Sequence, residues 1–379
     1  MTIQISIEEY RSRISALQKI MLKQGLDHLI AYSWKRGQTK YLAGYFPNYI
    51  ANVAAVLISK SGSPKLFIRF PFDLERAAHE SWISEIKASG DPEDMAEDIA
   101  NGILLYGNPR GKIGIVSGDY LMDEMPYSFY AKLKQRLPES ELIDQRPTIE
   151  NLRLIKSKAE ILAVRKAAEL ADEGLRTAKK WVRAGVSEWQ IVSSIETTLR
   201  EGGAEHHLVV IAAPGSQKLI GPPTKRKLEV NEDVIVEIAV EVGGYWSQVA
   251  AVFFTPPVSE ERLQVSRIVY DAYKNLIDQI KPGMTCADLA RKAKNYFDNL
   301  GLSDYIEQDF GHGIGLDMPE PPRISVKDET IIQPGMLLVV HPALRIVNKG
   351  GAFIGGTVVV GEKKTEESHD LSIVMEGVD

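Results

Sequence analysis

The amino-acid sequence predicts an α/β domain followed by an α+β domain with internal pseudo-two-fold symmetry. Three observations lead there. Short β-type runs alternate with helical stretches up to about residue 145, the texture of an α/β unit. From Pro147 the chain turns rich in Ala, Leu, Lys and Glu with helical periodicity, which sets a domain boundary near 145–155. A pattern beginning at Val182, VRAGVSEWQIVSSIETTLREGG, then returns without gaps at Ile280 as IKPGMTCADLARKAKNYFDNLG.

In chain order, Ile5, Tyr10, Ile14, Leu17, Ile20 and Met21 recur at helical spacing and predict a first helix through about residue 24. Strands are expected at HLIAYS, NVAAVLIS, KLFIRF and GKIGIVS, and helices over 91–105 and 122–136. The helical texture after Pro147 breaks near Lys156–Ser157, where Ser157 is placed to cap a long second helix. In the repeat, Gly185 falls on Gly283, Ser187 on Thr285 and Gly203 on Gly301. Each copy reads as a glycine stop, a hydroxyl N-cap, a helix and a closing glycine, and Ser187 with Gln190 satisfies the capping-box rule. β-rich sequence follows both copies: HHLVVIAAPG and VIVEIAVEVGGYWSQVAAVFF after the first, MLLVVHPALRIV and AFIGGTVVVGE after the second. Two such halves place a site on the seam between their sheets. The domains are accordingly drawn at 1–150 and 151–379.

Composition bounds the function. With 44% hydrophobic and 25% charged residues and a net charge of -6, the chain has material for two cores and no basic surplus for nucleic acid or an anionic membrane. The first residues show neither a signal-peptide pattern nor an uninterrupted apolar span, so a cytoplasmic protein is expected. Cys286 is the single cysteine, which excludes an intrachain disulfide and a thiolate metal cluster. It follows the cap residue Thr285 and is read as a small buried hydrophobe.

The run FGHGIGL at 310–316, the EPP that follows at 320–322, PGMLLVVHP and the hairpin EVGGYWS occur in an order that resembles the pita-bread superfamily of creatinase, aminopeptidase P, prolidase and methionine aminopeptidase. The first 150 residues resemble the creatinase-type N-terminal domain, so the likeness spans nearly the whole chain. It implies an α/β N-terminal domain of creatinase type, an α+β pita-bread catalytic domain and a homodimer. The superfamily's peptidases hold two divalent metals with two Asp, one His and two Glu. Position by position, the first Asp falls on Glu237, the second on Gln248, the His on His312, one Glu on His341 and the other on Gly355. Two further catalytic histidines fall near Gly221–Pro222 and on Pro319, and a substrate-clamping Arg falls on Phe353.

Chemistry shapes the expectation. A dinuclear centre needs carboxylates that bridge dications about 3.5–4 Å apart. Gln248 is neutral and Gly355 has no side chain, so no metal and no cofactor is expected. Glu237, His312 and His341 remain as the catalytic set: the imidazoles divide the tasks of base and donor, and Glu237 orients one ring and favours its imidazolium form. Gln248, Ser247 and Tyr245 are expected to offer neutral hydrogen bonds to a small-molecule substrate. His207, one of two histidines alternating faces on a strand, and Glu320 and Arg323 complete the substrate-binding candidates, although the last two can equally pair with each other. The function expected is a metal-independent hydrolase or lyase cleaving a non-peptide C–N bond of a small nitrogen-containing metabolite, creatinase-like rather than an aminopeptidase. Beside it stand a mononuclear metal hydrolase using Glu237, His312 and His341, and an inactive binding protein of the same fold. Creatine is not expected, because the Glu that holds its guanidinium falls on His341. The N-terminal loop YFPNYIANV offers Asn48, Tyr49 and Asn52 but no Arg, and His28, His79 and His369 lie outside every motif.

Overall fold

A computed structural model of the chain describes residues 5–34, 37–47, 50–106, 108, 110–117, 125–212, 220–306, 308–347 and 349–372. Asn48, Tyr49 and residues 122–124 of the expected helix lie outside the described residues. The chain divides into two compact units, Gln4–Arg153 and Leu154–Asp379.

The first unit is α/β. Its elements are α1 (Ile7–Gln24), β1 (His28–Trp34), α2 (Gln38–Ala43), β2 (Val53–Ser59), β3 (Lys65–Ile68), α3 (Leu74–Glu80), β4 (Ile86–Ala88), α4 (Pro92–Tyr106), β5 (Lys112–Val116), α5 (Tyr127–Arg136), β6 (Glu141–Asp144) and α6 (Arg146–Leu154). Ser6 caps α1 by accepting from the Glu9 N–H at 3.1 Å, and Gly25 ends the helix at φ 69, the left-handed turn that glycine adopts without Cβ strain. The sheet runs β4-β3-β2-β1-β5-β6. β5 is parallel to β1 and β6, whereas β2 is antiparallel to β1 and β3. Ile30, Tyr32, Ala55 and Leu57 of the sheet pack on Met95, Ile99 and Ile103 of α4 and Phe129 and Leu133 of α5. Period-two apolar faces meeting period-3.6 stripes give one core, as the alternating texture predicts.

The second unit begins with α7 (Lys158–Trp181), α8 (Glu188–Glu201), β7 (His206–Ala212), β8 (Glu232–Val242) and β9 (Tyr245–Thr255). It continues through α9 (Glu260–Gln279), α10 (Cys286–Asn299), β10 (Gly311–Gly313), β11 (Glu320–Arg323), β12 (Leu337–Val340), β13 (Ala343–Ile346), β14 (Gly350–Phe353), β15 (Gly355–Val359) and β16 (Glu366–Glu367). Ser157 starts α7 with a capping box to Glu160, as expected. The large sheet runs β11-β10-β12-β15-β9-β8-β7, and β13 pairs with β14 separately. Alanines 163, 167, 168, 171 and 178, with Val164 and Leu175, line the buried stripe of α7. Small side chains let this helix lie close on the sheet. At Gly174 a Cβ would stand 2.8 Å from Ile238 Cδ1.

The internal repeat is visible in the hydrogen bonds. Gly185 N–H donates to Leu228 O at 2.8 Å and Gly283 N–H to Ile332 O at 2.9 Å; Leu228 N–H returns to Val186 O and Ile332 N–H to Met284 O. Both helices carry capping boxes, Ser187 with Gln190 and Thr285 with Asp288, and both close on a left-handed glycine, Gly203 at φ 92 and Gly301 at φ 69. Equivalent sequence builds equivalent caps, and each cap pins its helix to a neighbouring extended segment. Cys286 is buried, and burial pushes its thiol up to about 12, which makes it inert. Ser187→Ala and Thr285→Ala are each expected to cost about 1 kcal/mol, adding to about 2 kcal/mol in the double variant because the caps share no partner. Urea unfolding of the three variants measures this; equality with wild type would mean the boxes are solvated in solution.

Candidate functional site

The site starts from a hairpin. β8 and β9 turn at Gly243 and Gly244, at φ 64 and 84, a left-handed pair that matches strand twist and that glycine alone takes freely. The Glu205 carboxylate accepts from both their N–H groups, at 2.9 and 2.8 Å. The register sets Glu237 opposite Ala250 and Gln248 opposite Ala239. Opposed residues share a face and neighbours alternate, so Glu237 and Gln248 lie on one face a diagonal step apart. Gln248 Nε2 donates to Glu237 Oε1.

The second half of the repeat supplies the imidazoles. His312 on β10 lies opposite Val339 of β12 on one side and Arg323 of β11 on the other. His341 follows β12, with its ring centroid 5.2 Å from that of His312 and 5.0 Å from Phe353. Glu237, Gln248, His312, His341, Arg323 and Phe353 line one cleft of about 350 Å³, with Gln308 and Asp309 at its side.

Burial governs the electrostatics. Desolvation raises the Glu237 carboxyl to about 7, against the opposing hydrogen bond from Gln248. Burial lowers His312 to about 4 and His341 to about 3, and each imidazole is uncharged at neutral pH. His312 Nδ1 lies 2.8 Å from Gly313 O; a carbonyl only accepts, so Nδ1 carries the proton and Nε2 presents a lone pair. Gln308 Nε2 stands 3.5 Å from His341 Nδ1, the long limit of a hydrogen bond. Gln248 Oε1 is buried with no hydrogen-bond partner among the described residues. Turning the amide over would set that oxygen toward a protonated Glu237, so Gln248 can partner the carboxyl in either ionisation state.

The structure brings together Glu237, His312, His341, Gln248 and Arg323 and separates the other candidates. Tyr245 and Ser247 occupy the opposite face of β9: Tyr245 OH donates to Glu160 at 3.0 Å, and Ser247 Oγ contacts Thr357 and His369. Strand alternation placed them behind the cleft. His207 shares its face with Val209 and Ile211, stands 3.8 Å from Glu196 of α8 and does not line the cleft. Glu320 is buried in an ion pair with Lys156 and is not among the lining residues. The expectation that Glu237 orients an imidazolium is also corrected: its carboxyl meets Gln248, and burial keeps both rings neutral. Gln308 and Asp309 escaped notice because no motif marks that loop.

A mixed-sheet α/β unit followed by a pseudo-symmetric helix-and-sheet unit, with its cleft on the seam, defines the creatinase N-terminal and pita-bread architecture. Residues 163–362 match metallopeptidase family M24, and residues 13–155 match the creatinase/prolidase N-terminal domain. The chain belongs to metallopeptidase family M24. An Xaa-Pro dipeptidase of Pyrococcus horikoshii is 28% identical over 239 residues, covering 62% of this chain and 68% of the relative. A putative dipeptidase of Bacillus subtilis is 25% identical over 336 residues, covering 88% and 91%. Among solved structures, the prolidase from Pyrococcus horikoshii superposes with a TM-score of 0.84 at 24% identity, covering 95% of this chain and 99% of that one.

These findings overturn the expected metal-independent hydrolase of a non-peptide C–N bond: the family is one of metallopeptidases, and the relatives are named for dipeptides. The donor set of this chain nonetheless does not fit a two-metal centre. Glu237, His312 and His341 share the cleft, but among the described residues no three His, Cys, Asp or Glu side chains are spaced to hold a metal ion. At Gly355 a Cβ would lie 1.9 Å from Val340 O, so this backbone has no room for a carboxylate there. No helix among the described residues is long and apolar enough to cross a membrane.

The Glu237 carboxyl makes stability depend on pH. The native state holds its proton until about pH 7 whereas the unfolded chain releases it near 4.5, so this contribution is complete below 4.5 and lost as pH rises through 7. The imidazoles act in the opposite sense, complete above 6.5 and lost on acidification toward about 4 and about 3. Between pH 5 and 8 wild type is expected to lose up to roughly 3 kcal/mol relative to Glu237→Gln. Denaturant unfolding across that range checks it; parallel curves would show a solvated carboxyl.

Proposed function

We propose that this chain is a hydrolase that cleaves the amide bond of a dipeptide-sized substrate in the Glu237–His312–His341 cleft, with Xaa-Pro dipeptides the first class to test. One observation carries the reading: a carboxyl poised near neutrality and two uncharged imidazoles face a single cleft. The names of the relatives, Xaa-Pro dipeptidase among them, support the peptide class.

Ionised Glu237 takes a proton from water as the water oxygen adds to the amide carbon, an efficient exchange for a group titrating near the working pH. The His341 Nε2–H donates to the carbonyl oxygen as it gains charge, and a fixed donor in a buried site strengthens there without reorganisation. Glu237 then returns its proton to the leaving nitrogen as the C–N bond breaks. The His312 Nε2 lone pair accepts an N–H of the bound substrate. Arg323 at the cleft wall suits a substrate carboxylate, and the Phe353 ring offers an apolar wall.

The test is a panel of Xaa-Pro and other dipeptides, each assayed as purified and with Mn²⁺ or Zn²⁺ added. Saturable hydrolysis is expected, with kcat/KM rising with pH to a plateau through a midpoint near 7 as Glu237 ionises. Glu237→Gln should lose about 10²–10⁴-fold. His341→Ala should lose about 10²–10³-fold. No dipeptide turnover under either condition would overturn the reading, and full activity in Glu237→Gln would move the chemistry elsewhere.

A further inference from the structure

His369, which no motif marks, is the middle of a buried polar chain behind the cleft. Its Nδ1 donates to Asp172 Oδ1 of α7 at 2.8 Å, and its Nε2 lies 2.9 Å from Ser247 Oγ of β9. Ser247 Oγ also stands 3.0 Å from Thr357 Oγ1 of β15. Thr357 Oγ1 in turn accepts the Gln248 N–H at 3.0 Å and lies 3.1 Å from the Gln248 carbonyl. The second Asp172 oxygen accepts the Asp370 N–H at 3.0 Å, which ties the segment after β16 to α7. The backbone makes room for the ring: at Gly356 a Cβ would stand 2.8 Å from His369 Cδ2.

The order Ser–His–Asp is that of a nucleophile with its base and orienting acid, but this serine is no nucleophile. Ser247 is fully buried, faces away from the cleft and already binds Thr357. The chain ends instead on the peptide of Gln248, whose side chain passes to the other face of β9 and meets Glu237.

We infer that Asp172 and His369 are positioning residues: through Ser247 and Thr357 they fix the backbone of Gln248, and so the amide that holds Glu237 in the cleft. Their effect on turnover rests on the proposed hydrolase reading; their effect on Gln248 does not. Thr357 touches the Gln248 peptide, Ser247, His369 and Asp172 back it in turn, and buried polar groups linked in this way resist movement together.

The experiment observes the Gln248 side-chain amide directly, by NMR of deuterated full-length protein with the signal assigned through Gln248→Ala. His369→Ala is expected to shift or broaden that signal. It should also lower kcat for the dipeptide found above by about 10- to 100-fold with little change in KM, as a displaced catalytic group does. His369→Gln, which keeps a hydrogen-bonding amide within reach of Ser247, should restore most of both. Ser247→Ala, which removes a single oxygen, gives the same readout should His369→Ala fail to fold. A folded His369→Ala or Ser247→Ala with a lowered Tm but an unchanged Gln248 signal would reduce the chain to a structural tie and overturn the inference. If wild type hydrolyses no dipeptide, the hydrolase reading fails alone and the Gln248 signal still decides the positioning role.

Discussion

The pairing of β8 with β9 decides where every polar group of the second unit goes. β9 is buried on both faces, and the period of two that any strand imposes sends Tyr245 and Ser247 toward the helices and Gln248 toward the cleft. A slip of one residue would exchange these sets, leaving a serine to meet Glu237 and an amide among the core side chains. Such a slip is opposed from several directions at once. The two-glycine turn and the Glu205 carboxylate fix one end of the hairpin, Glu160 receives the Tyr245 hydroxyl, and the close approach at Gly174 presses α7 onto Ile238. Each is modest alone, but all agree on one register.

The same close packing shapes the chemistry of the cleft. β12 and β15 approach so tightly at Gly355 that only a glycine fits against the Val340 carbonyl, and Phe353 two residues earlier closes over His341. Buried ionisable groups without a close opposite charge relax toward their neutral forms. Glu237 follows that rule upward in pKa, and both imidazoles follow it downward. Arg323 and Asp309 are the charged side chains at the edge of the cleft.

Much of this fold was legible in the sequence because its signals are local. The capped helix starts at Ser157, Ser187 and Thr285, the left-handed glycines and the β8–β9 hairpin depend on a few neighbouring residues, and all were found where the pattern put them. Glu237, His312, His341, Gln248 and Arg323 were reached through spaced motifs, and the structure gathers them. What stayed hidden was the facing of side chains. Ser247 and Tyr245 neighbour Gln248 in the chain, and proximity in sequence says nothing about which side of a strand they take. Glu320 drew notice beside Arg323, yet its partner Lys156 lies 164 residues away. His369 and Asp172 belong to no motif, and only the packed sheet brings them together.

A strand with two occupied faces couples the core to the site. The polar chain behind β9 must be complete for Ser247 and Thr357 to be satisfied, since an unmet buried hydroxyl costs about 1–3 kcal/mol. Its completion draws the segment around His369 and Asp370 onto α7. The Gln248 peptide is held from behind by Thr357 before its side chain meets Glu237 in front. Stability and the geometry of the cleft thus depend on the same atoms. A substitution that loosens the rear of β9 acts on the front without touching any residue that lines the cleft.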